Sequence, residues 1–262
     1  MIEGGRMRNH LVWALAMAAV VGATRPALAE LALGDVSPKL STAASLRTRG
    51  ELNRFFEPAG TTNNDYAFGA TLARFGLAWK DDIFDLQVEG QNSALFGLPD
   101  DAAAPPPTGA LGLGAIYFLH NRAENDASVF LKQGFVKLKK LYVEGLTLKG
   151  GRFEFSDGTE ILTGDASLDW LKNARISQRL IGPFGFSHVG RSFDGATAQL
   201  TRGPLNLTAL AVHPTQGGFD LAGNKQISDI DLAYLAFNVT RPELAKSADA
   251  RLFYVYYGDS RG

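Results

Sequence analysis

The 262 residues contain no cysteine, so neither a disulfide framework nor a thiolate metal site or thiol nucleophile is available. Histidine is almost as scarce. Beyond the first 29 residues only His120, His188 and His213 remain, and none belongs to a recognisable nucleophile–base–orienter set, so an enzyme is not expected. Positive charge is not in surplus either: 26 Lys and Arg stand against 27 Asp and Glu, a balance that speaks against a nucleic-acid partner. No cofactor motif and no metal-ligand spacing is present. Past Glu30 there is no run of about 18 apolar residues, which removes a transmembrane helix. A membrane could then be crossed only by a closed barrel of strands.

What is present begins with an export signal. Arg6 and Arg8 precede an uncharged stretch, Leu11 to Ala23, and Ala27-Leu28-Ala29 supplies the small residues a signal peptidase requires, so cleavage is expected before Glu30. Residues 1–29 carry three Arg and one Glu, and their removal leaves 23 basic and 26 acidic residues, a net charge of −3. Residues 30–45, with Pro38 and small polar side chains, read as a periplasmic lead of little structure. Residues 46–262 read as one outer-membrane domain.

From Leu46 the chain alternates. Arg47, Arg49, Glu51 and Asn53 fall on one face of a strand and Leu46, Thr48, Gly50 and Leu52 on the other. Tyr66 to Lys80 is a second, long strand in which Arg74 opposes Ala73 and Phe75. After a tight turn at Asp81-Asp82, Phe84, Leu86 and Val88 alternate with Asp85, Gln87, Glu89 and Gln91. A long loop follows from Ser93 to Gly114, rich in proline and alanine. Residues 115–125 are weakly patterned and are of doubtful type. Ser128 to Leu138 is a strand again.

Leu146 to Gly158 contains Gly150-Gly-Arg-Phe-Glu-Phe-Ser-Asp-Gly158, where charged and aromatic residues alternate one by one. A soluble sheet would turn Arg152 and Glu154 to water; an outer-membrane barrel would turn them to a lumen and Phe153 and Phe155 to lipid. The parity shift at Gly150-Gly151 predicts a β-bulge there. Thr159 to Ser187 breaks the pattern and is expected as a long loop with a short helix over residues 166–173. Asp165 and Asp169, one helical turn apart, resemble an acid–base pair or cation site, although a solvated helix face is the commoner meaning of such spacing. Strands resume over residues 190–202, 205–212, 228–239 and 249–257, the last with Leu252, Tyr254 and Tyr256 on the face opposite Arg251. Tyrosines so placed suit an interfacial aromatic girdle.

Gly151-Arg-Phe-Glu-Phe-Ser-Asp-Gly158, a loop containing Trp170, and Gly190-Arg-Ser-Phe-Asp-Gly195 occur in that order, with Leu46-Arg-Thr-Arg-Gly-Glu51 upstream and Gln87 to Gln91 between. In this the chain resembles the alginate export family of Gram-negative outer membranes. The resemblance implies an all-β fold, a monomeric transmembrane antiparallel barrel of about eighteen strands, and passive passage of an anionic polysaccharide through an arginine-lined lumen. Nine clear strands and the one doubtful segment are about half of such a barrel, so the chain is expected to be a fragment in preference to a small closed barrel.

On this reading the residues lining the path are Arg47, Arg49, Arg74, Arg152 and Arg251, with Glu51, Gln87, Glu89, Glu154 and Asp194 moderating them. Guanidinium groups hold carboxylates bidentately, and interleaved acids keep each contact weak enough to release a polymer. The partners are an anionic polysaccharide or small anions and outer-membrane lipid. Two other functions fit the same residues: a porin for small anions or sugars, and a soluble exported carbohydrate-binding β-protein, for which only Trp79 and Trp170 remain as platforms.

Overall fold

A computed structural model of the protein describes residues 27–32, 37–57, 62–106, 108–241 and 248–261. The greater part of the expected export signal, residues 1–26, lies outside the described residues. Ten strands form one antiparallel sheet: β1 (Ala27–Ala32), β2 (Leu40–Arg54), β3 (Asp65–Lys80), β4 (Phe84–Phe96), β7 (Asp126–Leu138), β8 (Leu146–Phe153), β9 (Phe193–Arg202), β10 (Leu205–Pro214), β11 (Ile230–Arg241) and β12 (Ala248–Asp259). Spatial order follows chain order, and the two-residue strands β5 (Ala103–Ala104) and β6 (Gly109–Ala110) pair separately in a loop. The sheet is not closed: β1 and β12 are its two edges. Residues 30–45, expected to carry little structure, instead supply part of β1 and the start of β2, and Ala27–Ala32 pairs with Ser41–Leu46.

Connections alternate in length. The turns at residues 81–83, 139–145 and 203–204 are short, whereas the loops 55–64, 97–125, 154–192 and 215–229 are long. Because every pairing is antiparallel, all the long loops leave one end of the sheet and all the short turns the other.

Side chains alternate strictly enough to give the sheet two unlike faces. On the outer face one row of directly paired residues runs Phe84, Leu138, Leu148, Ala198, Ala209, Leu235 and Tyr254 across seven strands without a polar member. Leu52, Phe75, Val88, Val129, Leu207, Phe237 and Leu252 extend this face, and all are exposed, Val129 by 78% and Leu252 by 75%. The inner face carries Arg47, Arg49, Glu51, Arg74, Glu89 and Gln91 toward β2–β4 and is covered by the long loops. Two apolar clusters sit under those loops. Tyr66, Phe68, Leu95, Tyr117, Phe130 and Val189 form one; Phe153, Phe155, Ile181, Phe193, Leu210 and Tyr234 form the other.

Of the doubtful residues 115–125, the first seven belong to a helix, α1 (Gly112–Asn121), lying against the inner face. Its glycines explain both its position and its poor sequence signal. A Cβ on Gly114 would lie 2.5 Å from a Tyr66 ring carbon and 3.0 Å from one of Phe68, so only glycine admits this approach, at the cost of helix propensity. The short helix expected over residues 166–173 is present as α2 (Ala166–Leu171), continued by a π-helical turn to Ile176.

Two expectations for Gly150 to Gly158 are corrected. Pairing of β8 with β7 and β9 runs through Gly150 and Gly151 without a break. The irregularity lies one strand away, between Glu89 and Gly90, where Lys132 of β7 is the extra residue. Gly151 is needed instead for its backbone: φ is +123°, and a Cβ there would meet the carbonyl oxygen of Gly134 at 2.3 Å. Phe153 and Phe155 do not face outward. Phe153, 0% exposed, pairs with the buried Phe193 and shares the inward parity of Lys149, and Phe155, 8% exposed, follows the end of β8 where the chain turns into the interior; by the same parity Arg152 falls in the row of Gly134 and the outward Val88.

The two glycines should therefore respond differently to alanine. Gly151→Ala is expected to destabilise the protein by about 1–3 kcal/mol, and Gly150→Ala, whose Cβ would meet no neighbour closer than 4.0 Å, should be near neutral. Denaturant unfolding of the two variants measures the difference; equal midpoints would contradict it.

Candidate functional site: the charged inner face

Three arginines of the inner face make their bonds to loops or acids, not to open space. Arg47 donates to the carbonyls of Gly185 (2.9 Å) and Ser187 (2.5 Å), and Arg49 to that of Phe186 (2.9 Å). Two residues along β2, Glu51 meets His188 Nε2 at 2.7 Å. From β4, Gln91 donates to Val189 O at 2.6 Å, and the Tyr117 hydroxyl of α1 accepts from His188 N at 2.8 Å. Residues 185–189 thus form a strap laid along the inner face and gripped by β2, β4 and α1. Burial raises the Tyr117 phenol above its ordinary pKa, so it remains a neutral donor, giving its proton to Gly218 O at 3.0 Å.

A second group centres on Glu154. Arg74 Nη2 lies 3.1 Å from its Oε1 and Lys132 Nζ lies 3.2 Å from the same oxygen. Arg74 also donates through Nε to Gln91 (2.7 Å) and lies 3.6 Å from Glu89, which accepts from Gln133 at 3.3 Å. Burial pushes the Glu154 carboxyl up, but Lys132 and Arg74 outweigh it and hold it below the usual carboxylate range. Lys132 is fully buried and donates a further bond to Arg191 O at 3.0 Å. Its position follows from the bulge, which turns Lys132 and Gln133 inward together.

Arg152 and Asp194, expected to line the path, stand instead in the register row of Gly134 and the outward Val88, opposite in parity to Lys149 and Phe153; they pair directly across β8 and β9 with two bonds of 2.7 and 2.6 Å, and Arg152 reaches Asn224 Oδ1 at 2.8 Å. At the far edge Arg251 lies 3.4 Å from Asp157 and 3.5 Å from Glu160, whose carboxylate also accepts from the Tyr234 hydroxyl. Gln87 stands opposite Ala78 and Phe135, in line with Glu89 and Gln91. The ten expected lining residues thus fall into separate groups along the sheet. Between two of them lies a cleft of about 340 Å³, lined by Ser45, Arg47, Arg74, Glu154, Gln178 and Ser187 among others.

Asp165 and Asp169 serve the loop itself. Asp165 caps α2, accepting from Ser167 N and Leu168 N, and Asp169 accepts from Thr163 N and Oγ1 and from Gly164 N. The Thr163 N–H and these neighbours hold the Asp169 carboxyl below its usual range. No cluster of three or more metal-ligating side chains occurs among the described residues.

No protein-family model matches the chain, and no curated protein does. Function must therefore be argued from geometry. Lys132, Gln91, His188, Asp157 and Glu160 are not among the residues expected to line the path. For Lys132 the signal exists, since it shares parity with Phe130, but the strand period alone cannot locate the bulge that makes Lys132 and Gln133 both face inward.

Replacing Arg47 and Arg49 together by alanine removes the grip of β2 on residues 185–187. A charged hydrogen bond contributes about 1.5–3 kcal/mol, so protease cleavage within residues 182–190 should speed up by about tenfold or more while the strands stay intact. Unchanged cleavage would show that these arginines do not hold the strap.

Proposed function

We propose that this sheet is wall of an outer-membrane β-barrel whose interior passes an anionic solute, and that residues 1–29 direct its export. The observation that carries the reading is the outer face. Large apolar residues are exposed on β2–β4, β7, β8 and β10–β12, and β9 fills the gap with Ala196 and Ala198. A soluble protein rarely exposes more than a few hundred Å² of contiguous apolar surface, whereas a lipid-facing barrel wall requires it. The long-loop and short-turn ends match the extracellular and periplasmic sides of such barrels. Tyr254 and Tyr256, outward and near the long-loop end of β12, suit an interfacial girdle.

The open edges bear on size. Removal of residues 1–29 leaves only Glu30–Ala32 of β1, so β2 and β12 are the edges of the exported sheet, and their unpaired N–H and C=O groups are not tolerable in hydrocarbon without further pairing. We take the sheet as about half of an about eighteen-stranded barrel, in line with the resemblance to the alginate export family. The transported species is then an alginate-like anionic polysaccharide. A second reading, a porin for small anions, is favoured by the loops: they cover much of the inner face, and the 340 Å³ cleft has room for a solute of about monosaccharide size.

Reversal potentials of the full-length gene product in planar bilayers test this. Preference for anions over potassium is expected, with oligouronate blocking the current if a polymer is the substrate and small anions passing without block if it is not. A cation-selective pore would contradict the reading.

A further inference from the structure

Lys137 and Lys149 stand directly opposite each other on β7 and β8, on the inner face near the short-turn end. Like charges in that relation repel. Elsewhere on this face the arginines and Lys132 are compensated: Arg47 and Arg49 by carbonyls of the strap, Arg74 and Lys132 by Glu154, Arg251 by Asp157 and Glu160, while Lys80, at the end of β3, stands directly opposite Asp85 in the same row as the lysine pair. Around the lysine pair that compensation is missing. The next residue on the β4 side is Asp85, but its Oδ1 accepts from Lys139 Nζ at 2.6 Å. On the β9 side the neighbour is Thr197, which donates to Ala209 O. Among the described residues neither lysine makes a hydrogen bond or ion pair.

What Lys149 does have is an aromatic setting. Its ammonium lies 4.3 Å from the ring centroid of Phe153 and 5.2 Å from that of Phe135. The rings hold the cation by their quadrupoles and remove part of its water, which strengthens its attraction for any anion that arrives. Side chains directly opposite in a sheet have Cβ atoms about 5 Å apart, so one oxyanion can accept from both ammonium groups.

We infer that Lys137 and Lys149 form an oxyanion-binding site on the inner face. As the first contact for a solute arriving from the short-turn end, its role rests on the wall reading above; its affinity for an oxyanion does not. The arginines hold the loops, and these two lysines are a directly paired set of cations left to meet a ligand.

Isotopic amine acetylation of the detergent-extracted full-length product, followed residue by residue by mass spectrometry, tests the site. An oligogalacturonate at about ten times its Kd should slow modification of Lys137 and Lys149 about tenfold relative to chloride of the same ionic strength, leaving Lys225 unchanged. Sulfate in a parallel arm separates sources: equal protection marks a general oxyanion site, and protection by the uronate alone marks a sugar-acid site. In Lys149→Gln, protection of Lys137 should vanish. No protection of either lysine in the native protein, or protection of Lys137 that survives Lys149→Gln, overturns the inference. Where the protein partitions separates the two claims. Protection in a protein that stays in the aqueous phase sustains the site and sinks the wall, and a membrane protein without protection does the reverse.

Discussion

The constraint on which everything else here depends is the antiparallel ladder from β2 to β12, which satisfies each strand's backbone through its neighbours while sending successive side chains to opposite sides. A ladder of this length cannot choose the environment of one residue independently of the next. Once Leu235 and Tyr254 face outward, Tyr234 and Val255 must face in. The uninterrupted apolar row from Phe84 to Tyr254 therefore implies, by parity alone, an inner row that begins Asp85, Lys137, Lys149 and Thr197. One side of the sheet is apolar and exposed, and the other needs partners for charge.

Those partners come largely from the protein's own loops. Burying a charge is tolerable only where hydrogen bonds and opposite charges replace water, and the strap at residues 185–189 offers carbonyls to Arg47 and Arg49 while Glu154 serves Arg74 and Lys132. The loops in turn require the small apolar clusters beneath them, including Tyr117 of α1 and Phe153 and Phe155. Arginine on this face is thus first a means of fastening loops to strands, and the open cleft beside Arg47 and Arg74 is what that fastening leaves. A channel built so would be tuned as much by strap position as by the charge of its lining.

Much of the wall was legible in the sequence because strict alternation has few other meanings. Arg47, Arg49, Glu51 and Asn53 fall together on one face from spacing alone, and the register keeps them there. Legibility failed where tertiary contacts override period. Helix α1 contains Gly112 and Gly114, which weaken its local signal and exist for contact with Tyr66 and Phe68. The bulge was expected at Gly150-Gly151 because glycine pairs mark bulges, but those residues serve close backbone approach, and the extra residue is Lys132. Phe153 is expected outside only if the parity shifts at Gly150-Gly151; the register runs through without a shift and keeps Phe153 on the side of Lys149, whereas Phe155 lies past the strand, where alternation ceases to apply. The strap was invisible because its acceptors are backbone carbonyls, which no residue type announces.

The central claim is that the two faces of the wall meet different solvents, and nitroxide labels along β4 in the full-length protein reconstituted into bilayers measure this directly. Labels at Leu86 and Val88 should be relaxed by lipid-borne oxygen and labels at Gln87 and Glu89 by a water-soluble nickel chelate, so that accessibility alternates with a period of two. Leu86 and Val88 responding to the aqueous reagent as strongly as Gln87 and Glu89 would contradict the account.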